Sequence, residues 1–134
     1  MSSLIHCALE IRSLSTLKEV LDAMGLQYIE KVGENTITSR GYRGATADAD
    51  IVIQSSELRK INAGRYGDMG FKYNKKTETY DATMDSADRR VGDEITRRYA
   101  IQTIKNCARD NYRDFEVLEG DITNNREDIL IYVS

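Results

Sequence analysis

Ile5, Cys7, Leu9 and Ile11 alternate with His6, Ala8, Glu10 and Arg12. A period of two predicts a half-buried strand with the first set inward. Leu17, Val20, Leu21 and Met24 then recur at helical spacing, which predicts an amphipathic helix. Thr16 and Glu19 form a candidate capping box at its start, with Ser13 as the competing start, and Gly25 is placed to end it in the left-handed conformation. Residues 26–31 read as a short second strand. Residues 33–44 are polar and Gly-rich, hence a loop or a weakly paired hairpin. The β-branched run at residues 50–54 predicts a buried strand, and residues 55–67 read as an exposed loop. Phe71 and Tyr73 alternate with Lys72, a turn follows at residues 74–78, and Tyr80, Ala82 and Met84 alternate again, which predicts a β-hairpin with a basic tip.

The longest helix is expected from about residue 86 to 111. Ile95, Tyr99, Ala100, Thr103, Ile104, Cys107 and Ala108 share its inner face. Gly92 is a weak point after which the helix is free to begin. Strands at residues 115–119 and 129–133 close the chain. The order strand, helix, strands, helix, two strands predicts the α+β class. The expected architecture is one domain over residues 1–134, with an antiparallel or mixed sheet of about five to seven strands and two helices packed on one face. A ferredoxin-like relative is the first expectation.

Composition narrows the class. The 134 residues suit one core, and 40% hydrophobic with 31% charged content fits neither a disordered polyelectrolyte nor a membrane protein. No apolar run approaches the roughly 20 residues that span a bilayer. The start lacks the basic and apolar regions of a signal peptide, so the expected location is the cytoplasm or an equivalent reducing compartment. Cys7 and Cys107 are expected as buried thiols, and with one histidine and no C-x-x-C neither a metal nor a cofactor is expected. There is no proline, so turns fall to Gly, Asn and Asp.

Charge is split. Residues 114–134 hold six acidic residues against Arg126 alone, and residues 59–76 hold six basic residues against Asp68 alone. Such asymmetry suits a steered partner. A pI near 5.2 disfavours non-specific duplex binding.

Arg40, Gly41, Tyr42, Arg43 and Gly44, then residues 49–53, Asp68-Met69-Gly70-Phe71, Tyr80 with Asp85, and Ile95-Thr96-Arg97-Arg98-Tyr99-Ala100 together resemble the Ycf-thirty-five-like family. That family comprises hypothetical plastid and cyanobacterial reading frames of unknown function. The resemblance spans nearly the whole chain and implies a compact domain in a photosynthetic lineage, in the cytoplasm or plastid stroma. It carries no reaction and no catalytic residues. Members usually have tryptophan just after the position of Asp85, where this chain has Ser86, and residues 55–66 read as an insertion. A divergent copy, such as one carried by a cyanobacterial virus in its host's cytoplasm, fits both differences.

Four candidate sites emerge. In the loop at residues 40–46, glycines permit several N–H groups to face one anion and arginines add bidentate donors. The simpler reading is a structural loop whose arginines pair with Asp48 or Asp50. The hairpin with Lys72, Lys75 and Lys76 combines lysines with Tyr66, Phe71, Tyr73 and Tyr80, a mixture able to stack single-stranded bases. Those rings are more simply core, with the lysines as a solvated edge. His6 has no partner nucleophile in sequence. Asp81, Asp85, Asp88, Asp93 and Glu94 are acid–base or Mg²⁺ candidates, although Asp88, Asp93 and Glu94 suit a helix start better. No catalytic residue stands out. The expected function is a non-enzymatic binding or adaptor domain with a protein partner, reached through the acidic carboxy-terminal hairpin and the 40–44 loop. The alternative is a nucleotide- or single-stranded-RNA-binding domain using Arg40, Arg43 and the 72–76 hairpin. An edge strand beside the closing strand makes a homodimer a further option.

Overall fold

The computed structural model describes residues 4–8, 10–111, 115–117 and 131–133. β1 (Leu4–Ala8) leads into α1 (Leu14–Ala23). Ser13 caps this helix, its hydroxyl accepting from the Thr16 N–H at 3.3 Å, so the competing start is the one realised. Gly25 adopts φ 73° just beyond the end, as its position predicts. β2 is only Ile29–Glu30, shorter than the expected strand. β3 (Ile37–Arg40) pairs with β4 (Thr46–Ala49), and β5 (Ile51–Ile53) follows after a bend at Asp50.

Residues 55–67 depart from the exposed loop expected there. Ser55–Leu58 forms a short helix, α2, continued by a 3₁₀ turn at Arg59–Ile61, and Leu58 is fully buried. One leucine among polar residues carries too little periodicity to signal a helix, yet it is enough to pin one to the core. β6 (Met69–Asn74) and β7 (Thr79–Asp85) form the expected hairpin. A 3₁₀ turn at Ser86–Asp88 leads into α3 (Arg89–Asn111), which starts before Gly92 rather than after it. Gly92 serves as a packing site, since a Cβ there would lie 2.7 Å from Met84 Cε. β8 (Phe115–Val117) pairs with β9 (Ile131–Val133) as a separate ribbon. Residues 118–130 of the expected acidic hairpin lie outside the described residues.

The protein is α+β. The main sheet runs β1-β7-β6-β5-β2, every neighbour antiparallel, so of the two expected arrangements the mixed one is not adopted. Strand alternation sends Ile51, Phe71 and Ala82 to one face in a row across the sheet. There they join Leu17, Val20 and Leu21 of α1 and Val91, Ile95 and Tyr99 of α3 in one core. Both helices therefore cover the same face. The Tyr99 hydroxyl accepts from the Arg12 and Ser13 N–H groups at 3.0 and 2.8 Å, fastening α3 to the start of α1.

The buried stripe of α3 turns partway along. Ile101 is buried beside Val20 and Ala23 of α1, whereas Thr103 and Cys107 are exposed. Packing against two neighbours, the sheet and α1, bends the stripe off one helical face. The expectation of a buried Cys107 is thereby corrected. Cys7 lies opposite Ala82 in the strand register, and His6 opposite Thr83.

α2 is held to the start of α3 by one bifurcated bond. The Gly64 N–H donates to both oxygens of the buried Asp88 carboxylate at 3.1 and 3.2 Å. Burial pushes this carboxyl above its ordinary value; the Gly64 N–H opposes the shift, Asp85 adds to it and Arg90 opposes it. A carboxyl raised in the folded state contributes stability that is full below its ordinary value and is lost as pH rises through the raised one. Asp88→Asn keeps one acceptor for Gly64 and removes the titration. Its stability relative to the natural protein is expected to improve from about pH 4 to about pH 7, read as urea midpoints; a constant difference would contradict the assignment.

Candidate binding surfaces: a lysine groove and an aromatic ribbon tip

The face of the sheet away from the helices is only partly covered. Here β3 and β4 cross over Gly70, and an added Cβ at Gly70 would come within 2.9 Å of Ser39 Cβ and 3.1 Å of Ala49 Cβ. The absence of a side chain at residue 70 is what lets this ribbon lie flat on β6. Asp50 anchors the bend between β4 and β5. Its carboxylate accepts from the Tyr73 N–H at 2.7 Å and pairs with Lys31 Nζ at 3.2 Å. The expectation that Arg40 or Arg43 pairs with Asp50 is therefore not realised.

Beyond the ribbon the sheet face opens into a groove of about 800 Å³. Asp48 of β4 forms one side; Lys72 and Tyr73 of β6, Asp81 of β7 and Lys75 and Lys76 of the connecting turn form the rest. Lys72 and Asp81 face each other in register, as the period-two pattern requires. The turn is well determined. Asn74 Oδ1 accepts from the Lys76 N–H at 2.9 Å, Asn74 Nδ2 donates to Asp81 Oδ2 at 3.1 Å, and Glu78 takes a left-handed φ of 58°. All three lysines are exposed, and among the described residues none of their ammonium groups makes an ion pair. Phe71 belongs to the core, while Tyr73 is half-exposed and packs edge-on against Tyr80, ring centroids 5.2 Å apart.

The 40–44 loop lies at the other end of β6. It closes tightly, with the Gly41 N–H donating to the Ala45 carbonyl at 2.7 Å, and both Arg43 (φ 57°) and Gly44 (φ 79°) are left-handed. Asp68 fixes it from outside. One carboxylate oxygen accepts from the Arg40 N–H at 3.0 Å and the other from the Ser55 N–H at 2.9 Å, while the Asp68 N–H donates to the Arg40 carbonyl at 2.8 Å. Tyr42 meets Tyr66 edge to face at 5.3 Å and 77°. The Arg43 and Arg65 guanidinium groups each sit 5.3 Å from a ring centroid, of Tyr42 and Tyr66 respectively.

The two basic features are thus separate surfaces. β6 spans six residues between them, roughly 20 Å of strand. Tyr66, grouped with the hairpin in sequence, belongs with the ribbon tip, and Arg65 joins it there. Nothing in the sequence pairs residue 42 with residue 66; Gly67 is the one faint signal. A Cβ at Gly67 would lie 2.5 Å from the Arg40 carbonyl, so a glycine is what allows these segments to touch.

The acidic candidates divide. Asp85 caps the turn after β7, accepting from the Ala87 N–H at 2.9 Å, and Asp93 is exposed. Glu94 is bridged by Arg97 at 2.9 Å and Arg98 at 2.8 Å, and the Arg97 hydrogen bond leads in holding its carboxyl below the usual range. Asp81 alone lines the groove. Among the described residues no group of three or more His, Cys, Asp or Glu side chains is placed to hold a metal ion.

No curated protein and no solved structure matches this chain. A family model does match it over residues 20–128, which takes in α1 from Val20, both basic surfaces and the whole of α3. The chain belongs to that family, described as proteins of unknown function, DUF1257.

Proposed function

We propose that the protein is a non-enzymatic binding domain, an adaptor whose protein partner presents an acidic segment to the groove between the β3–β4 ribbon and the β6–β7 hairpin. The observation that carries this reading is the trio Lys72, Lys75 and Lys76 along an open groove, exposed and, among the described residues, in no ion pair. Exposed lysines on a rigid hairpin cost little to bring to a carboxylate-rich partner, and their field steers association. The likeness of the 40–44 and 95–100 segments to Ycf-thirty-five-like proteins supports a photosynthetic-lineage setting, with a cyanobacterial-virus copy as its narrowest form. A cytoplasmic or stromal location accords with that setting. Among the described residues no helix is long and apolar enough to cross a membrane.

The test is affinity capture from nuclease-treated host lysate, comparing the natural chain with a Lys72→Glu, Lys75→Glu, Lys76→Glu variant. Surface changes of this kind leave folding stability within about 0.5 kcal/mol per site. The natural chain is expected to retain a discrete protein that the variant retains at least about tenfold less well, with capture falling as salt rises. Equal capture by both baits, or loss of the partner on nuclease treatment, would refute this function.

A further inference from the structure

We propose that the tip of the β3–β4 ribbon is a second, independent site, one that stacks an unpaired RNA base on Tyr42 or Tyr66 and holds the adjoining phosphate with Arg43 and Arg65. The two rings sit outside the hydrophobic core. Tyr42 is 38% exposed, and its edge-to-face meeting with Tyr66 leaves ring surface open to a third planar group. Each ring has a guanidinium 5.3 Å from its centroid, on a long side chain able to swing from the ring to a phosphate. Among the described residues Arg40, Arg43 and Arg65 make no ion pair, so no carboxylate has to be displaced.

The site is also held in place. Asp68 grips the Arg40 N–H, and Gly67 lets the two segments touch. Arg43 occupies a left-handed backbone conformation that glycine would hold with less strain. An arginine kept there points to a use for its side chain. An acidic peptide would need the arginines but not an exposed Tyr42 beside a half-buried Tyr66; a base with its phosphate uses both. Local charge permits this despite the acidic whole, because Arg40, Arg43 and Arg65 gather at the tip against Asp68.

The experiment is fluorescence anisotropy with a short labelled oligoadenylate at about 0.15 M salt, where the screening length of about 8 Å is well short of the distance to the lysines. Binding is expected to weaken at least about fivefold in Tyr42→Ala, whose side chain is outside the core. It is expected to weaken in Arg43→Gly as well, with a log–log salt slope shallower by roughly 0.7, one phosphate contact on a single strand. Arg43→Gly suits the left-handed backbone, so it separates loss of the ligand contact from loss of the fold. The triple-lysine variant is expected to stay within about twofold of the natural chain, which distinguishes this site from the groove. Unchanged affinity in both tip variants, equal binding of the same sequence as a duplex, full displacement by poly-glutamate, or no binding by the natural chain would each overturn the proposal.

Discussion

Replacing Gly64 by alanine is expected to remove about 2–5 kcal/mol of folding stability, measured as a fall in the urea midpoint at unchanged slope. Two costs combine. Gly64 has φ 73°, a left-handed conformation that penalises a side chain by about 1–2 kcal/mol. The added Cβ would also lie 2.6 Å from Leu58 Cβ and 2.6 Å from the Ser55 carbonyl oxygen. The second neighbour is backbone and the first is the fully buried anchor of α2, so neither yields without moving the helix. Overpacking of that kind costs about 1–3 kcal/mol.

Gly25→Ala provides the comparison. Its φ is also 73°, but nothing lies within 4 Å of the added Cβ, so it is expected to show the strain alone. The gap between the two variants measures how firmly α2 is packed. A Gly64→Ala protein no less stable than Gly25→Ala would mean that α2 is not held where the structure has it. The same change would disturb the bond from Gly64 to Asp88, which opposes the upward shift of that carboxyl, so the dependence of stability on pH that Asp88 supplies should grow with it.

The fold was legible wherever one face of an element meets one partner. The β6–β7 hairpin and α1 each show a single clean period and are found where it puts them, whereas β5, buried at all three positions, was marked by its β-branched run. Legibility failed where an element serves two neighbours or rests on a single residue. α3 packs on the sheet and on α1, so Ile101 is buried and Cys107 is exposed, contrary to a one-face reading. α2 presents Leu58 alone to the core, with a polar surface that reads as loop. The glycines were ambiguous for a related reason. Gly92 resembles a helix breaker in sequence, whereas its missing side chain makes room for Met84. Backbone conformation and close packing both call for glycine, and only the neighbour across the structure tells them apart.

The candidate site was half legible. Its residue types were readable: two arginines around a tyrosine, and three lysines on a hairpin. Their grouping was not, because it depends on which end of β6 each segment reaches. The 40–44 loop meets residues 65–68 at the start of that strand, and the lysines gather at its far end. A period-two pattern reports which face a residue takes and says nothing of what is folded over that face, so the groove beneath the ribbon left no mark in the pattern.

That ribbon hangs from Asp50, and Asp50→Ala is accordingly expected to cost about 2–4 kcal/mol. The carboxylate is only 6% exposed and joins two elements, accepting from the Tyr73 N–H at 2.7 Å and pairing with Lys31 at 3.2 Å. Truncation leaves the Tyr73 N–H without its acceptor, a loss of about 1–3 kcal/mol for a part-buried bond to a charged group. It also leaves Lys31 without its counter-ion. Lys31 is half-exposed, so water compensates for most of that second loss. Asp50→Asn preserves an acceptor for Tyr73 and should cost clearly less than the alanine. Because Tyr73 sits between Lys72 and the lysine-bearing turn, freeing its N–H loosens the end of β6 on which the groove is built. The alanine variant should therefore lose stability and groove binding together, whereas reversal of the three lysine charges should weaken binding at least about tenfold with stability intact. If Asp50→Ala remained within about 1 kcal/mol of the natural protein, the bend between β4 and β5 would have to be held by its backbone bonds, from the Asp50 N–H to the Phe71 carbonyl and from the Lys31 N–H to the Asp50 carbonyl.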